Sequence, residues 1–274
     1  MNYLDTTIAL AASDIEYYRT NGHVKLSQVC DAAHIGEFRE QVNASVEERK
    51  RNIALLPFDQ RDTYGKAFLQ IMNLWVENPA LAKWVLSKRF ASVAAQLMGV
   101  DHVRIYHDQA LFKEPHGGIT PWHQDQHYWP LVTDNCITMW MPLMDITTAM
   151  GTLNFASGTS SVGYLGDMPI SDDSEAYLSN MCKERGFDIV NHGDMSAGDA
   201  TFHSGWCLHG APGNQTDTLR EVMTIIWYED NTRVIEKPDP KNRWNKSREN
   251  DLATWLPGCK PGELAASPIN PKVL

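Results

Sequence analysis

The sequence predicts a mainly β chain with flanking helices, folded as a sandwich or barrel. Three observations carry that reading. Residues 1–100 are mostly helical in pattern, and the texture changes after Gly99. From 101 to 230, many short runs of branched and aromatic residues are separated by Gly, Pro and Asp turns. The 274 residues allow one domain large enough to bury roughly three quarters of its unfolded surface without staples. We read 1–274 as that single domain, with residues 231–274 as a C-terminal wrap or lid and a loose tail as the alternative.

In chain order, Ser13-Asp14-Ile15-Glu16 has capping-box spacing and opens a helix that stops at Asn21-Gly22. His23-Val24-Lys25-Leu26 alternates as a short strand. A second helix is expected from Asp31 to about Val46. Residues 52–80 are less regular, but Phe68, Ile71, Met72 and Trp75 sit at helical spacing. Leu81 to Met98 reads as one helix closed by Gly99. Strands follow at Val103–Tyr106, Ala110–Phe112, Trp122–Trp129, Ile137–Pro142, Gly151–Phe155, Ala200–His203 and Glu221–Trp227. Residues 163–190 look like an insertion with a helix near Glu175–Arg185. The tail from Asn231 holds six of the fourteen prolines and little periodicity.

Composition narrows the function classes. Lys plus Arg number 24 and Asp plus Glu 34, a formal charge of −10. Such an acidic chain, with no basic run, does not suit nucleic acid or anionic membranes. Its apolar runs are far shorter than the ~20 residues of a membrane helix. The first basic residue is Arg19, and Thr7–Ala12 is too short for a signal core. Five cysteines without a CxxC pair suggest a reducing, cytoplasmic setting and simple buried hydrophobes. The oligomeric state is open.

The chemistry concentrates at Trp122-His123-Gln124-Asp125. In a strand, residues two apart share a face, so His123 and Asp125 would project together. His209, 86 residues after His123 and before Gly210-Ala211-Pro212-Gly213-Asn214, is the best third ligand. His203 and His192 compete with it, and any of the three could be a satisfied core histidine. Two His and one carboxylate on one face of a metal leave positions open, the facial triad of non-haem iron(II) oxygenases. Arg220 enters the strand after His209, where a buried guanidinium can grip a carboxylate through two parallel hydrogen bonds.

At these residues the sequence resembles the phytanoyl-CoA dioxygenase family of iron(II)/2-oxoglutarate oxygenases. His123-Gln124-Asp125-Gln126-His127-Tyr128-Trp129-Pro130 resembles that family's HxD segment. Gly198-Asp199-Ala200-Thr201-Phe202, followed by His209 to Asn214, resembles its distal-His segment. Arg220 falls at the family's 2-oxoglutarate arginine. The helix ending at Asn21-Gly22 and the stretch Lys113-Glu114-Pro115 also fit. The resemblance spans roughly residues 10–230 and implies a double-stranded β-helix, the cupin-like jelly roll, with its core at 101–230. Two after the distal His, relatives often carry a hydroxyl residue where this chain has Ala211.

The resemblance implies Fe(2+) on His123, Asp125 and His209, with O2 and 2-oxoglutarate as cosubstrates and ascorbate as an accessory reductant. Arg220 is expected to clamp 2-oxoglutarate, with Gln109 and Thr138 beside it. Lys113, His127, Trp129, Trp75 and Leu74 are the substrate candidates. A solvated strand edge is the plainer reading for Gln109 and Lys113, and ordinary packing for the others. The expected reaction oxidises a C–H bond of a small metabolite or natural product, most simply by hydroxylation, releasing succinate and CO2. Desaturation, cyclisation and epimerisation share the same centre. Asp125 argues against halogenation, which needs Ala or Gly there. A metal hydrolase has no use for Arg220, and a non-catalytic jelly roll would have lost a ligand. The acidic surface offers no basic patch for a CoA phosphate, which favours a free metabolite.

Overall fold

The computed structural model describes residues 2–53 and 56–274. The part of the irregular 52–80 stretch at Ala54 and Leu55 therefore lies outside the described residues. In chain order the elements are α1 (Ala12–Asn21), β1 (His23–Leu26), α2 (Ile35–Lys50), α3 (Thr63–Ala67), β2 (Leu69–Met72), α4 (Pro79–Val85) and α5 (Lys88–Met98). Then come β3 (Val103–Lys113), β4 (Thr120–His123), β5 (Cys136–Pro142), β6 (Asn154–Ala156), α6 (Asp172–Arg185) and β7 (Ile189–Asn191). The chain ends with β8 (Ala200–Ser204), β9 (His209–Ala211), β10 (Arg220–Glu229) and α7 (Lys246–Trp255). Among the described residues no helix is long and apolar enough to cross a membrane.

The strands form two antiparallel sheets, ordered β1-β8-β5-β10-β3-β2 and β4-β9-β6-β7. Side-chain alternation explains how they pack. Ile137, Met139 and Met141 of β5, with Met223, Ile225 and Trp227 of β10, join one core with Phe90, Val93 and Leu97 of α5. The intervening Trp140 and Val222 face the second sheet and meet Phe155 and Ala211. The large sheet is thus covered on both faces, so β5 is buried at every position and reads as an unbroken apolar run. Trimming a fully buried side chain such as Leu97 to Ala would cost about 2–5 kcal/mol.

Several local expectations change. Ser13 is not the cap of α1: Ala11 occupies that position without a side-chain bond, although Gly22 closes the helix at φ 79°. The second helix starts at Ile35, because the Asp31 carboxylate accepts from the amides of Ala33 and His34 and holds a turn first. The helical spacing at Phe68–Trp75 is overturned. Leu69–Met72 instead pairs with β3, Leu69 opposite Phe112 and Met72 opposite Gln109. An open sheet edge overrides a short periodicity. Leu81–Met98 is two helices, broken where the Ser87 hydroxyl caps the Phe90 amide. Residues 103–113 are one strand rather than two. Trp122–Trp129 is strand only to His123, and a 3-10 turn begins at Asp125.

The tail is packed into the fold. Tyr228 donates from its hydroxyl to the carbonyl of Ala265, and the Asn270 amide donates to the carbonyls of Ile105 and Tyr106. Leu256 and Ala265 share a core with Tyr106, Trp129 and Tyr228.

Candidate metal centre

The first ligand candidates meet across a strand pair. β4 pairs with β9 in a register that sets His123 opposite His209, and their rings lie 4.2 Å apart. The backbone stays extended through Gln124 (φ −114°, ψ 123°), so Asp125 still projects beside His123 although the strand has ended. One donor atom from each of His123, Asp125 and His209 lies within 4.8 Å of the others. The Asp125 Oδ1 is 3.5 Å from the His123 Nε2 and 3.7 Å from the His209 Nε2.

Backbone carbonyls fix both tautomers. The His123 Nδ1 faces the carbonyl of Pro121 at 2.7 Å, and the His209 Nδ1 faces that of Cys207 at 3.0 Å. Each Nδ1 must therefore carry the proton, which leaves each Nε2 a lone pair aimed at the third ligand. Burial, with the His123 and His203 rings alongside, pushes His209 well below the ordinary imidazole range and keeps it neutral. Burial alone would raise Asp125, but the surrounding His209, His123 and His203 hold it well below the carboxylate range. Two neutral imidazoles and one carboxylate oxygen fit a divalent first-row metal.

The other Asp125 oxygen has partners of its own. Oδ2 accepts from the Thr138 hydroxyl at 2.8 Å and lies 3.2 Å from the His203 Nε2. His203, the rival for the distal position, thus orients the carboxylate. His192 instead meets His23, Nε2 to Nδ1 at 3.0 Å.

A cavity of about 240 Å³ opens over these residues. Arg220 lines it and is 1% exposed. The guanidinium packs 5.2 Å from the Trp140 ring, and Nη1 donates to the carbonyl of Gly151. Its Nε has no partner among the described residues. Burial pushes it down to about 9, with no acid among the described residues to offset that. A buried cation lining a cavity without a counter-ion is a receptor for an anion. The Gly151 that accepts from Arg220 has φ +86°, and a Cβ there would collide with the carbonyl of Pro212.

The remaining candidates divide. Gln109, Thr138 and Trp129 line the cavity with the triad and Arg220. Gln109 accepts from the Gln70 amide, which in turn accepts from the Tyr64 hydroxyl. Lys113, His127, Trp75 and Leu74 do not line it. Lys113 is fully buried beside the Arg220 register position and donates to the carbonyls of Gly118 and Pro212, tying two loops together. Burial, reinforced by Arg220, pushes that ammonium down to about 6. The His127 Nε2 lies 3.6 Å from an Asp167 oxygen and its ring packs near Tyr164. Leu74 and Trp75 give their backbone amides to Asp108 on the far side of β3. Sequence reasoning missed His107, Tyr64, Phe68 and Asp251, all of which line the cavity. Alternation along β3 from Gln109 would have placed His107 there. Nothing local marks Asp251.

A family profile described as phytanoyl-CoA dioxygenase matches residues 18–222. Comparison with curated protein sequences returns no match. Solved structures are similar along nearly the whole chain. The non-haem alpha ketoglutarate dependent carbocyclase SnoK from nogalamycin biosynthesis is 21% identical, with TM-score 0.76 and 97% of each chain covered. The epimerase SnoN, in complex with Fe3+, alpha ketoglutarate and nogalamycin RO, is 19% identical, with TM-score 0.74 and coverage of 96% of this chain and 98% of that one. EctD from S. alaskensis, with 2-oxoglutarate and 5-hydroxyectoine, is 16% identical, with TM-score 0.66 and coverage of 97% and 92%. These likenesses identify the fold as the cupin-like jelly roll.

Proposed function

The chain belongs to the phytanoyl-CoA dioxygenase family, and from that premise we propose that it is an iron(II)- and 2-oxoglutarate-dependent oxygenase acting on a small metabolite or natural product. The observation that carries the reading is the juxtaposition of the His123–Asp125–His209 donor set with a buried Arg220 that has no counter-ion among the described residues, in one cavity. A hydrolase using the same donors would need no such cation.

The residues divide the work. His123 and His209 would hold iron(II) through Nε2 and Asp125 through Oδ1. Thr138 and His203 keep the Asp125 carboxylate turned toward that position. Arg220 would pair with the far carboxylate of 2-oxoglutarate, and the Gln109 side chain faces the same space. When bound, iron with 2-oxoglutarate and O2 supplies oxidation of a substrate C–H bond, with succinate and CO2 as the coproducts. Trp129, Trp255, Tyr64 and Phe68 wall the cavity and exclude water from the reacting carbon. Hydroxylation is the simplest outcome. Substrate placement decides between it and desaturation, cyclisation or epimerisation. An accessory role for ascorbate, a cytoplasmic setting and a single oxygenase domain belong to the same proposal.

The test is succinate release from 2-oxoglutarate on aerobic mixing with iron(II) and ascorbate. Release by the wild-type protein and none from His209→Ala is expected. No release under any metal would sink the reading.

A further inference from the structure

One acid at this cavity makes no ion pair among the described residues. Asp251, on α7 outside the barrel, lines the same cavity as the donor triad and Arg220. Its Oδ2 accepts from the Tyr106 hydroxyl at 3.0 Å. Among the described residues nothing donates to Oδ1. Arg248 lies one turn earlier on α7, but its guanidinium donates to the carbonyls of Arg243 and Gln126 and packs on the Tyr164 and Trp206 rings. His107, from β3, lines the cavity with its ring 5.2 Å from that of Trp255. It is 2% exposed and its Nδ1 has no partner among the described residues. Burial pushes it down to about 3, so it is neutral and adds no positive charge.

With iron(II) bound, the metal and Arg220 would together bring three positive charges. Asp125 and the two carboxylates of 2-oxoglutarate bring three negative ones. Those charges would balance, and Asp251 makes no ion pair among the described residues, since the nearby Arg248 is turned to the carbonyls of Arg243 and Gln126.

We propose that the substrate carries a protonated amine and that Asp251 receives it. This rests on the oxygenase reading of the cavity. A carboxylate one helical turn from Trp255, both lining the cavity, is suited to an ammonium, which gains from the opposite charge and from an aromatic ring. Burial raises the Asp251 carboxyl to about 7 despite the Tyr106 hydroxyl and Arg248. An ammonium would restore its ionised form, whereas a neutral alcohol of the same shape would not. Asp251 thus acts as a specificity-determining residue at the end of the cavity that the barrel does not build.

The test uses the full chain loaded with Mn(II) and 2-oxoglutarate, read by its tryptophan fluorescence, since Trp129 and Trp255 line the cavity. Benzylamine and benzyl alcohol are the probes. Wild-type protein should bind the amine about tenfold more tightly than the alcohol. Asp251→Asn should erase that preference while leaving alcohol binding within about twofold. Equal wild-type affinities, or a preference that survives Asp251→Asn, overturn the proposal. The wild-type ratio alone decides it if the variant does not fold. Water-proton relaxation separates the two claims. Binding of Mn(II) and 2-oxoglutarate without an amine preference sinks only this proposal, and failure to bind them sinks the oxygenase reading as well.

Discussion

At the residue scale, the site depends on which atoms are already committed. The Nδ1 atoms of His123 and His209 face carbonyls, so their Nε2 atoms are free. Replacing His123, Asp125 or His209 with Ala should abolish succinate formation and metal binding together. His203→Ala and Thr138→Val should leave the ligands in place and lower metal affinity by about 10- to 100-fold, the usual cost of losing a group that orients a ligand. Equilibrium dialysis against iron(II) distinguishes the cases, and a His209→Ala protein with full affinity would refute the ligand assignment. The HxD pair, His209 and Arg220 stand out in the sequence because each sits beside a strand end or turn with a distinct residue pattern, and the structure brings them to one cavity. Lys113 was not. Spacing says which strand carries a side chain, but not that a long lysine beside Arg220 folds away toward the carbonyls of Gly118 and Pro212.

At the element scale, β4 is an edge strand, and edge strands need cover. The insertion supplies it. The Trp122 amide donates to Glu175 at 2.8 Å, and the Ser174 hydroxyl donates to the Trp122 carbonyl at 3.0 Å, so α6 completes the ladder beside His123. Glu175→Ala should cost about 1 kcal/mol and lower Tm by about 2–4 °C in a thermal melt. Iron affinity should fall with it, and unchanged affinity would mean that α6 does not position His123. The turn after β2 has a pH signature. Burial raises the Asp108 carboxyl to about 7, although it accepts from the amides of Leu74 and Trp75. Its folded value lies above its unfolded one. Its contribution to stability is therefore complete below about 4 and fades as pH rises toward 7. The stability of wild type relative to Asp108→Asn, followed by urea unfolding across that window, should decline with pH. A flat difference would show that Asp108 does not titrate in the fold. Phe68–Trp75 was misread here because a four-residue strand carries too little pattern to outweigh a chance helical spacing. Its partner strand lies some forty residues further on.

At the scale of the whole molecule, the two sheets divide the site: the four-stranded sheet carries His123 and His209, the six-stranded sheet carries Arg220, and elements outside both shape the rest of the cavity. The Arg39 guanidinium meets Glu221 at 2.7 and 2.9 Å, bracing the start of β10 next to Arg220. α7 was invisible in the sequence because its apolar face is narrow and its single fully buried side chain is Arg248. It nevertheless brings Asp251 and Trp255 to the cavity. Deleting residues 245–274 would strip cover from Tyr106 and Tyr228, so point variants test the tail's part in the cavity better than truncation. The central claim is that one cavity holds iron on the triad and 2-oxoglutarate on Arg220. Its most direct test is an anaerobic titration of 2-oxoglutarate into the iron(II)-loaded protein, following the visible charge-transfer band of a chelated 2-oxo acid. The account expects a saturable band in wild type and none in His209→Ala. In Arg220→Ala saturation should need at least about 30-fold more 2-oxoglutarate, the lower end of the cost of stranding a buried charge. Iron bound without any band, or a wild-type titration curve in Arg220→Ala, would contradict it.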